Sequence, residues 1–349
     1  MKRIGNILWI LISAIAMITL AVTLIIAYIP PDSALNVLSG LNLLFPYALI
    51  FSLICITVCL FRRQFYTALC IGVILLLSIP NIGKSIGFAS QKQAITESIK
   101  LSCYNVHYFN FYDYKQKNAL EYLKTCDADI LCLQEILVMR NQPNNLQHLL
   151  KSLSKYPYHH IVFFYEGNRL RKGIATLSKY PIVKKQRADI NSESHGAISS
   201  WIRIGNDTLQ VINCYLESNR LTSAEKEIYK SQEKTNIIKR IYNKLASASQ
   251  KRGCQAKVVS ALKDPHCATL VCGDLNDVAT SYVYRTIAQD DTDTFLALNH
   301  GIGTTFHEGI YRFRIDYIFA DSLITPLSFR INKQPYSDHH PIELQCKFK

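Results

Sequence analysis

The first 83 residues hold three long runs without a single Asp, Glu, Lys or Arg: Ile7–Ile29, Leu41–Phe61 and Phe65–Ile82. Each approaches the roughly 20 residues that a helix needs to cross the hydrocarbon core of a bilayer. Pro30-Pro31 and Arg62-Arg63 separate them. The first run is too long and continuous for a cleaved leader, and two similar runs follow it. The pattern predicts three transmembrane helices at about 7–29, 41–61 and 65–82 within an anchor of residues 1–83, followed by a polar linker at 84–98. Lys2, Arg3 and Arg62-Arg63 fall at the ends of the runs, whereas residues 30–40 contain no Lys or Arg. The positive-inside rule then puts the N-terminus and the Arg pair in the cytoplasm. Three spans carry the remainder of the chain to the extracytoplasmic side.

That remainder is basic. Six of the 39 Lys and Arg and two of the 26 Asp and Glu precede residue 100, which leaves 33 basic against 24 acidic residues. A positive domain beside a membrane attracts anionic partners, lipid headgroups or nucleic acid, through its general field. No basic stretch interleaved with aromatics marks a nucleic-acid groove, although "RLRK" (169–172) and "KKQR" (184–187) offer charges that a phosphate could meet. Of the eleven cysteines, Cys103, Cys132, Cys214, Cys272 and Cys346 lie in apolar runs, as small buried hydrophobes do, and no CxxC pair suggests zinc. Cys254 and Cys267 flank an expected helix and could pair in an oxidising compartment.

From residue 99 onward, short β-rich runs alternate with helical stretches. "SIKLSCYNV" (98–106), "DILCLQE" (129–135), "HHIVFFY" (159–165), "GIATLSKYPI" (173–182), "ATLVCGDLN" (268–276), "RIDYIFA" (314–320) and "PIELQCKF" (341–348) read as strands. "SSWIRI" and "TLQVINCYL" flank "GNDT", a hairpin signal. Helices are expected at Lys115–Thr125, Ser223–Ala246 and Ala256–Leu262, the last stopped by Asp264-Pro265. Several strands end on polar residues, Asn105, Glu135, Asp274 and Asn276, where side chains from neighbouring strands converge. Near the C-terminus stands "YSDHHPI" (336–342), which by itself suits a metal site, an acid–base pair or a polar turn.

Asn105, Gln134-Glu135, the "GDLN" of 273–276, the "RIDYIF" of 314–319 and the "SDHHP" of 337–341 occur in one order over about 240 residues. In that order, and in "GIATLSKYPI", residues 99–349 resemble the endonuclease/exonuclease/phosphatase superfamily of DNase I-like proteins. The resemblance implies an α/β fold, a four-layer sandwich of two mixed β-sheets flanked by helices, here preceded by three transmembrane helices. It implies a metal-dependent hydrolase of phosphate esters. The metal would be Mg²⁺, with Mn²⁺ as the substitute, held by Glu135, Asn105 and Asp338. Asp274 would orient or deprotonate the attacking water, and Asn276 would hydrogen-bond the transition-state oxygens. His339, oriented by Asp316, would donate the proton or stabilise the phosphoryl oxygens. Thr305 resembles a family threonine near the site, and His340 occupies a position that the family fills variably. One position departs from the pattern: Tyr215 stands where the family usually has a His, and a phenol is a far weaker acid than imidazolium. The expected substrate is a nucleic acid or a lipid headgroup, with no protein partner. The alternative is a degenerate domain that binds a phosphate ligand or a partner at the membrane.

Overall fold

The computed structural model describes residues 2–90, 98–110, 119–140, 145–219, 221, 234–309 and 311–349. They form two compact units, the first comprising Met1–Ser85, Asn219–Gln250 and Asp277–Arg285, and the second the rest.

In the first unit the charge-free runs become α1 (Lys2–Ile26), α2 (Phe45–Phe61), α3 (Phe65–Leu77) and α4 (Ile79–Ser85), with a 3₁₀ segment over Ala34–Leu44. Gly5–Ile26 and Leu38–Phe61 are each long and apolar enough to cross a membrane. The third expected span is broken, because α3 and α4 meet at 49°; taken as one bent span, they make a third. Pro80 explains the bend: it has no N–H to give, and its ring collides with the carbonyl four residues back. The Ser78 hydroxyl also donates to the Ile74 carbonyl at 2.8 Å. Ala16, Cys55, Cys59, Ala68 and Ile71 pack where the helices meet. Leu11, Ile15, Ile18, Leu69 and Leu76 are exposed on the outside, a surface suited to lipid and costly in water. Arg62 Nη2 donates to Asn6 Oδ1 at 2.7 Å, so the start of α1 and the end of α2 lie together.

The second unit contains the strands. In chain order they are β1 (Gly87–Phe88), β2 (Ile99–Asn105), β3 (Ile130–Met139), β4 (Tyr158–Glu166), β5 (Leu170–Ser178), β6 (Ile182–Arg187), β7 (Gly196–Ile204) and β8 (Asp207–Tyr215). They continue with β9 (Ala268–Asp274), β10 (Thr292–Asp293), β11 (His300–Gly301), β12 (Phe306–Glu308), β13 (Tyr311–Phe313), β14 (Asp316–Ala320), β15 (Ile324–Ile331) and β16 (Ile342–Phe348). One six-stranded sheet runs β15-β16-β2-β3-β5-β4 and the other β10-β14-β9-β8-β7-β6. Each is mixed, with one parallel pair at its centre: β2 with β3, and β8 with β9. Two such sheets flanked by helices are the architecture expected from the sequence. The β7–β8 hairpin closes at Gly205-Asn206, as the "GNDT" signal predicts, with Gly205 at φ +62°. Gly87 and Phe88, inside the expected linker, pair with β11.

Between the sheets Leu101, Cys103, Cys132, Val211, Leu270, Cys272 and Ile318 form one core, so the strand cysteines pack as small hydrophobes. Helices Ala119–Thr125 and Leu146–Ser152 contribute Leu123 and Leu149 to a second layer, on Leu131 and Leu133. The first four residues of the helix expected from Lys115 lie outside the described residues. The two helices expected at 223–246 and 256–262 are one over its described part, Lys234–Ser260. Gly253 does not interrupt it, since on either side Arg252 and Gln255 are buried and bonded to the Glu217 backbone. Cys254 is exposed and Cys267 buried, and both are free thiols.

His160 is buried with Nδ1 3.0 Å from Ser200 Oγ. Burial, aided by Lys185, holds its pKa at about 4 against an ordinary 6.5. Between those values the unfolded chain takes a proton that the folded chain refuses. The group's contribution to stability is therefore complete above pH 6.5 and is lost as pH falls toward 4. Melting followed by circular dichroism is expected to show a shallower acid decline for His160→Gln than for the wild type across that window.

Candidate active site

The two central parallel pairs deliver their C-terminal ends to one edge. Register places Asn105 opposite Gln134, and Tyr215 and Asp316 opposite Asp274. Asn105 links the sheets: Nδ2 donates to Glu135 Oε1 at 3.1 Å and to Asp274 Oδ2 at 3.0 Å. Its Oδ1 accepts from the His107 N–H at 3.0 Å. The sequence places Glu135 at a strand end, but β3 continues to Met139. Glu135 sits at a bulge between Leu133 and Ile136, with φ +52°. The bulge, an extra residue in the pairing, turns this carboxylate out of the ladder and toward Asn105.

Gly273 lies inside β9. Its φ is +143°, and a Cβ there would stand 2.0 Å from the Cys214 carbonyl oxygen on β8. The next residue, Asp274, is fully buried and accepts from Asn276 N–H (2.8 Å), Asn276 Nδ2 (3.1 Å) and Asn105. Burial raises its pKa to about 7; His339 opposes the rise and Asp316 adds to it. Asn276, at φ +51°, also donates Nδ2 to the Leu216 carbonyl at 3.0 Å. Both amide hydrogens are thus engaged, and a contact to substrate requires one bond to exchange.

"SDHHP" crosses the same edge. Ser337 donates to the Asn105 carbonyl at 2.8 Å and accepts from the His339 N–H at 3.2 Å. His339 Nδ1 is 2.9 Å from Asp316 Oδ2, and Nε2 is 3.8 Å from Asp274 Oδ2. Burial works against the imidazolium, yet Asp316 and Asp274 together hold the His339 pKa well above its ordinary value. Thr305 Oγ1 accepts from the Ile315 and Asp316 N–H groups, at 3.1 Å each, and so fixes the acid that orients His339. Asp338 Oδ1 is 3.5 Å from His107 Nδ1. Burial alone would raise the Asp338 pKa, but His339 and His107 outweigh it and lower it. His340 turns away, its ring 3.9 Å from that of His307.

Tyr215 reaches the group through Glu135: its hydroxyl donates to Glu135 Oε1 at 2.7 Å. Burial, with the Glu135 charge next, holds the phenol well above its ordinary pKa, so it remains a donor. Behind it lies a pair that sequence reasoning passed over. The His195 ring is 4.5 Å from the Tyr215 ring, and its Nδ1 is 3.1 Å from Glu217 Oε2. No motif surrounds either residue, and only the β7–β8 register (Gly196 opposite Tyr215) brings them together.

The profile of the Endonuclease/Exonuclease/phosphatase family matches residues 103–339, two thirds of the chain. The chain belongs to that family, whose members hydrolyse phosphate esters and generally depend on a divalent metal. Similar solved structures agree on the fold. An endonuclease/exonuclease/phosphatase from Beutenbergia cavernae aligns at TM-score 0.56 and 15% identity over 72% of each chain. One from Bacteroides vulgatus gives 0.53 and 16%, covering 73% of this chain and all of that one. A family protein from Leptotrichia buccalis gives 0.50 and 18%, covering 72% of this chain and all of its own. Among curated proteins none matches the chain.

Among the described residues, Asp274, Asp316 and His339 form one acid–histidine cluster compact enough for a cation, their donor atoms within 4.8 Å of one another. Asp316 is already bonded to His339, and Asp274 to three N–H groups. A cation would have to displace those bonds, so this trio as bonded fits proton handling better than ligation. Glu135 Oε2 and Asp338 Oδ2 have no partner among the described residues and are hard oxygens of the kind Mg²⁺ takes.

Proposed function

We propose that the chain is a membrane-anchored, Mg²⁺-dependent phosphoesterase in which an activated water attacks the phosphorus directly. The observation that carries this reading is the pairing of two oppositely poised groups at one sheet edge. Asp274, with its pKa near 7, can accept a proton from water, while His339, held protonated by Asp316, can donate one. Glu135, Asp338 and the Asn105 amide oxygen would hold the metal, with Mn²⁺ able to replace Mg²⁺. The bound ion supplies Lewis-acid stabilisation of charge on the phosphoryl oxygens. Asn105 fixes Glu135 and Asp274 relative to each other. His339 gives its proton to the leaving oxygen or steadies the phosphoryl charge, and Asn276 contributes a donor once one of its internal bonds opens. Tyr215 acts through Glu135 in place of the usual His. Tyr215→Phe is expected to weaken metal activation by roughly 10- to 100-fold, as losing a group behind a ligand does, measured as the Mg²⁺ concentration for half-maximal rate.

The anchor comprises residues 1–83 and the catalytic domain 99–349, joined by residues 84–98. Asn6 and Arg62 on one side of the helical unit, with Lys2 and Arg3 nearby in sequence, support a cytoplasmic N-terminus. With three spans, counting α3–α4 as one, the catalytic domain is extracytoplasmic. A cysteine introduced near residue 250 should react with an impermeant reagent in intact cells; protection reverses the orientation.

The function is tested with the full chain in detergent, assayed against bis(p-nitrophenyl) phosphate with Mg²⁺ and with EDTA. Metal-dependent release of p-nitrophenol is expected. No hydrolysis of this diester, nucleic acid, phospholipid or phosphorylated inositol would favour the phosphate- or partner-binding alternative.

A further inference from the structure

The Tyr215 hydroxyl sits at the far end of a ring, so a small rotation of that ring is enough to lengthen its 2.7 Å bond to Glu135. Ile174 and Ile198 pack with the ring, but apolar contacts fix a position better than a direction. The remaining neighbour is polar. The His195 ring stands 4.5 Å from the Tyr215 ring, centroid to centroid, at an interplanar angle of 41°. His195 is buried, and both of its nitrogens are engaged. Nε2 accepts from the Ser218 N–H at 3.2 Å, which places the ring proton on Nδ1. Nδ1 is 3.1 Å from Glu217 Oε2 and 3.0 Å from Ser194 Oγ. An imidazole with its tautomer set and both nitrogens bonded cannot turn about its Cβ–Cγ bond. Glu217, also buried, is held in turn. Its N–H donates to Gln255 Oε1 and its carbonyl accepts from Arg252 Nη1, both at 2.9 Å, and Lys251 Nζ lies 3.7 Å from Oε1. Packing alone would not call for this. An apolar side chain fills the space behind a tyrosine without the cost of burying a carboxylate and an imidazole.

We propose that His195, oriented by Glu217, is a positioning residue: it sets the Tyr215 ring so that the hydroxyl reaches Glu135, and so strengthens the hold of the site on its divalent metal. The proposal rests on the phosphoesterase reading above and deepens it at the same site. Tyr215 and Asn105 both donate to Glu135 Oε1, at 2.7 and 3.1 Å, and these two bonds decide how the carboxylate is turned. A ligand whose orientation is fixed before the ion arrives binds it more tightly than one that must first be ordered. His195 acts on that orientation through Tyr215. Glu217 acts one step further back, by keeping the imidazole in one tautomer and one rotamer.

The test measures the Mn²⁺ Kd of the full chain in detergent, from the free-Mn²⁺ signal in electron paramagnetic resonance. Hydrolysis of bis(p-nitrophenyl) phosphate over a Mg²⁺ titration is followed beside it. His195→Asn keeps an N–H donor near the place of Nδ1 and removes the ring. It should raise both the Mn²⁺ Kd and the Mg²⁺ concentration for half-maximal rate by roughly fivefold, less than the loss of a direct partner of a ligand. Tyr215→Phe keeps its ring but has no hydroxyl to aim. Adding His195→Asn to Tyr215→Phe should therefore change neither quantity further, a non-additivity that a merely structural role would not produce. Glu217→Gln leaves His195 in place and removes the charge behind it. It should shift both quantities in the same direction by a smaller factor, again only while Tyr215 is present. If His195→Asn fails to fold, the Glu217→Gln cycle decides by the same criterion. A Mn²⁺ Kd that His195→Asn leaves unchanged, or equal factors in the two backgrounds, overturns the positioning role. A wild type that binds Mn²⁺ with the expected dependence on His195 but hydrolyses no diester overturns the phosphoesterase reading instead.

Discussion

Full-length protein carrying His339→Ala is expected to lose roughly 10³-fold in kcat toward bis(p-nitrophenyl) phosphate, the scale at which positioned proton transfer operates. The imidazole is held between Asp316 at 2.9 Å and Asp274 at 3.8 Å, and both carboxylates keep it charged. Alanine removes the proposed proton donor and leaves two buried acids facing each other. Some loss of stability accompanies this change, because the acids lose their counter-charge. Asp274→Asn tests the other group without opening a cavity. It keeps the volume and the site at the end of β9, and removes the basic oxygen that would take a proton from water. A comparable loss of kcat is the expected pattern, with a lowered melting temperature because the new amide NH₂ faces N–H donors that the carboxylate accepts, read by steady-state kinetics and circular dichroism. If either variant keeps activity within about tenfold of wild type, the acid–base assignment is wrong.

The sheet strands and their polar ends were legible because a buried strand writes itself as an apolar run, and a run ending in Asn, Glu or Asp stands out. Asn105, Asp274 and Asp316 are where those runs place them, at register partners on adjacent strands. The bulge at Glu135 was not legible. Its neighbours Ile136, Leu137 and Val138 simply prolong the strand, and a left-handed residue leaves no local signature unless it is Gly or Asn. The break between α3 and α4 was written in Pro80, but hydropathy alone treats the run as continuous. The His195–Glu217 pair depends on cross-strand register, which no local pattern encodes. The same holds for Tyr108 over Lys172, which are 64 positions apart and meet only through folding.

Replacing Gly273 with alanine should be the most destabilising single substitution at the site, because the constraint is on backbone rather than on side chains. A methyl group there would stand 2.0 Å from the Cys214 oxygen and 2.7 Å from its nitrogen, both held in the parallel β8–β9 ladder. Relief requires β9 to move away from β8, since no flexible side chain can yield. The φ of +143° adds a conformational penalty that only glycine escapes. Overpacking of a fixed core and strain at a special backbone angle together suggest a loss of about 3–5 kcal/mol. The measurement is a urea midpoint followed by tryptophan fluorescence, with Trp201 on β7 reporting on the same sheet. Any variant protein that still folds should also lose activity, since Asp274 directly follows Gly273 and meets Asn105 and Tyr215 only in the native register. A Gly273→Ala protein with wild-type midpoint and rate would mean that β8 and β9 are not clamped as described. The placement of Asp274, on which the proton-transfer argument depends, would then be wrong as well.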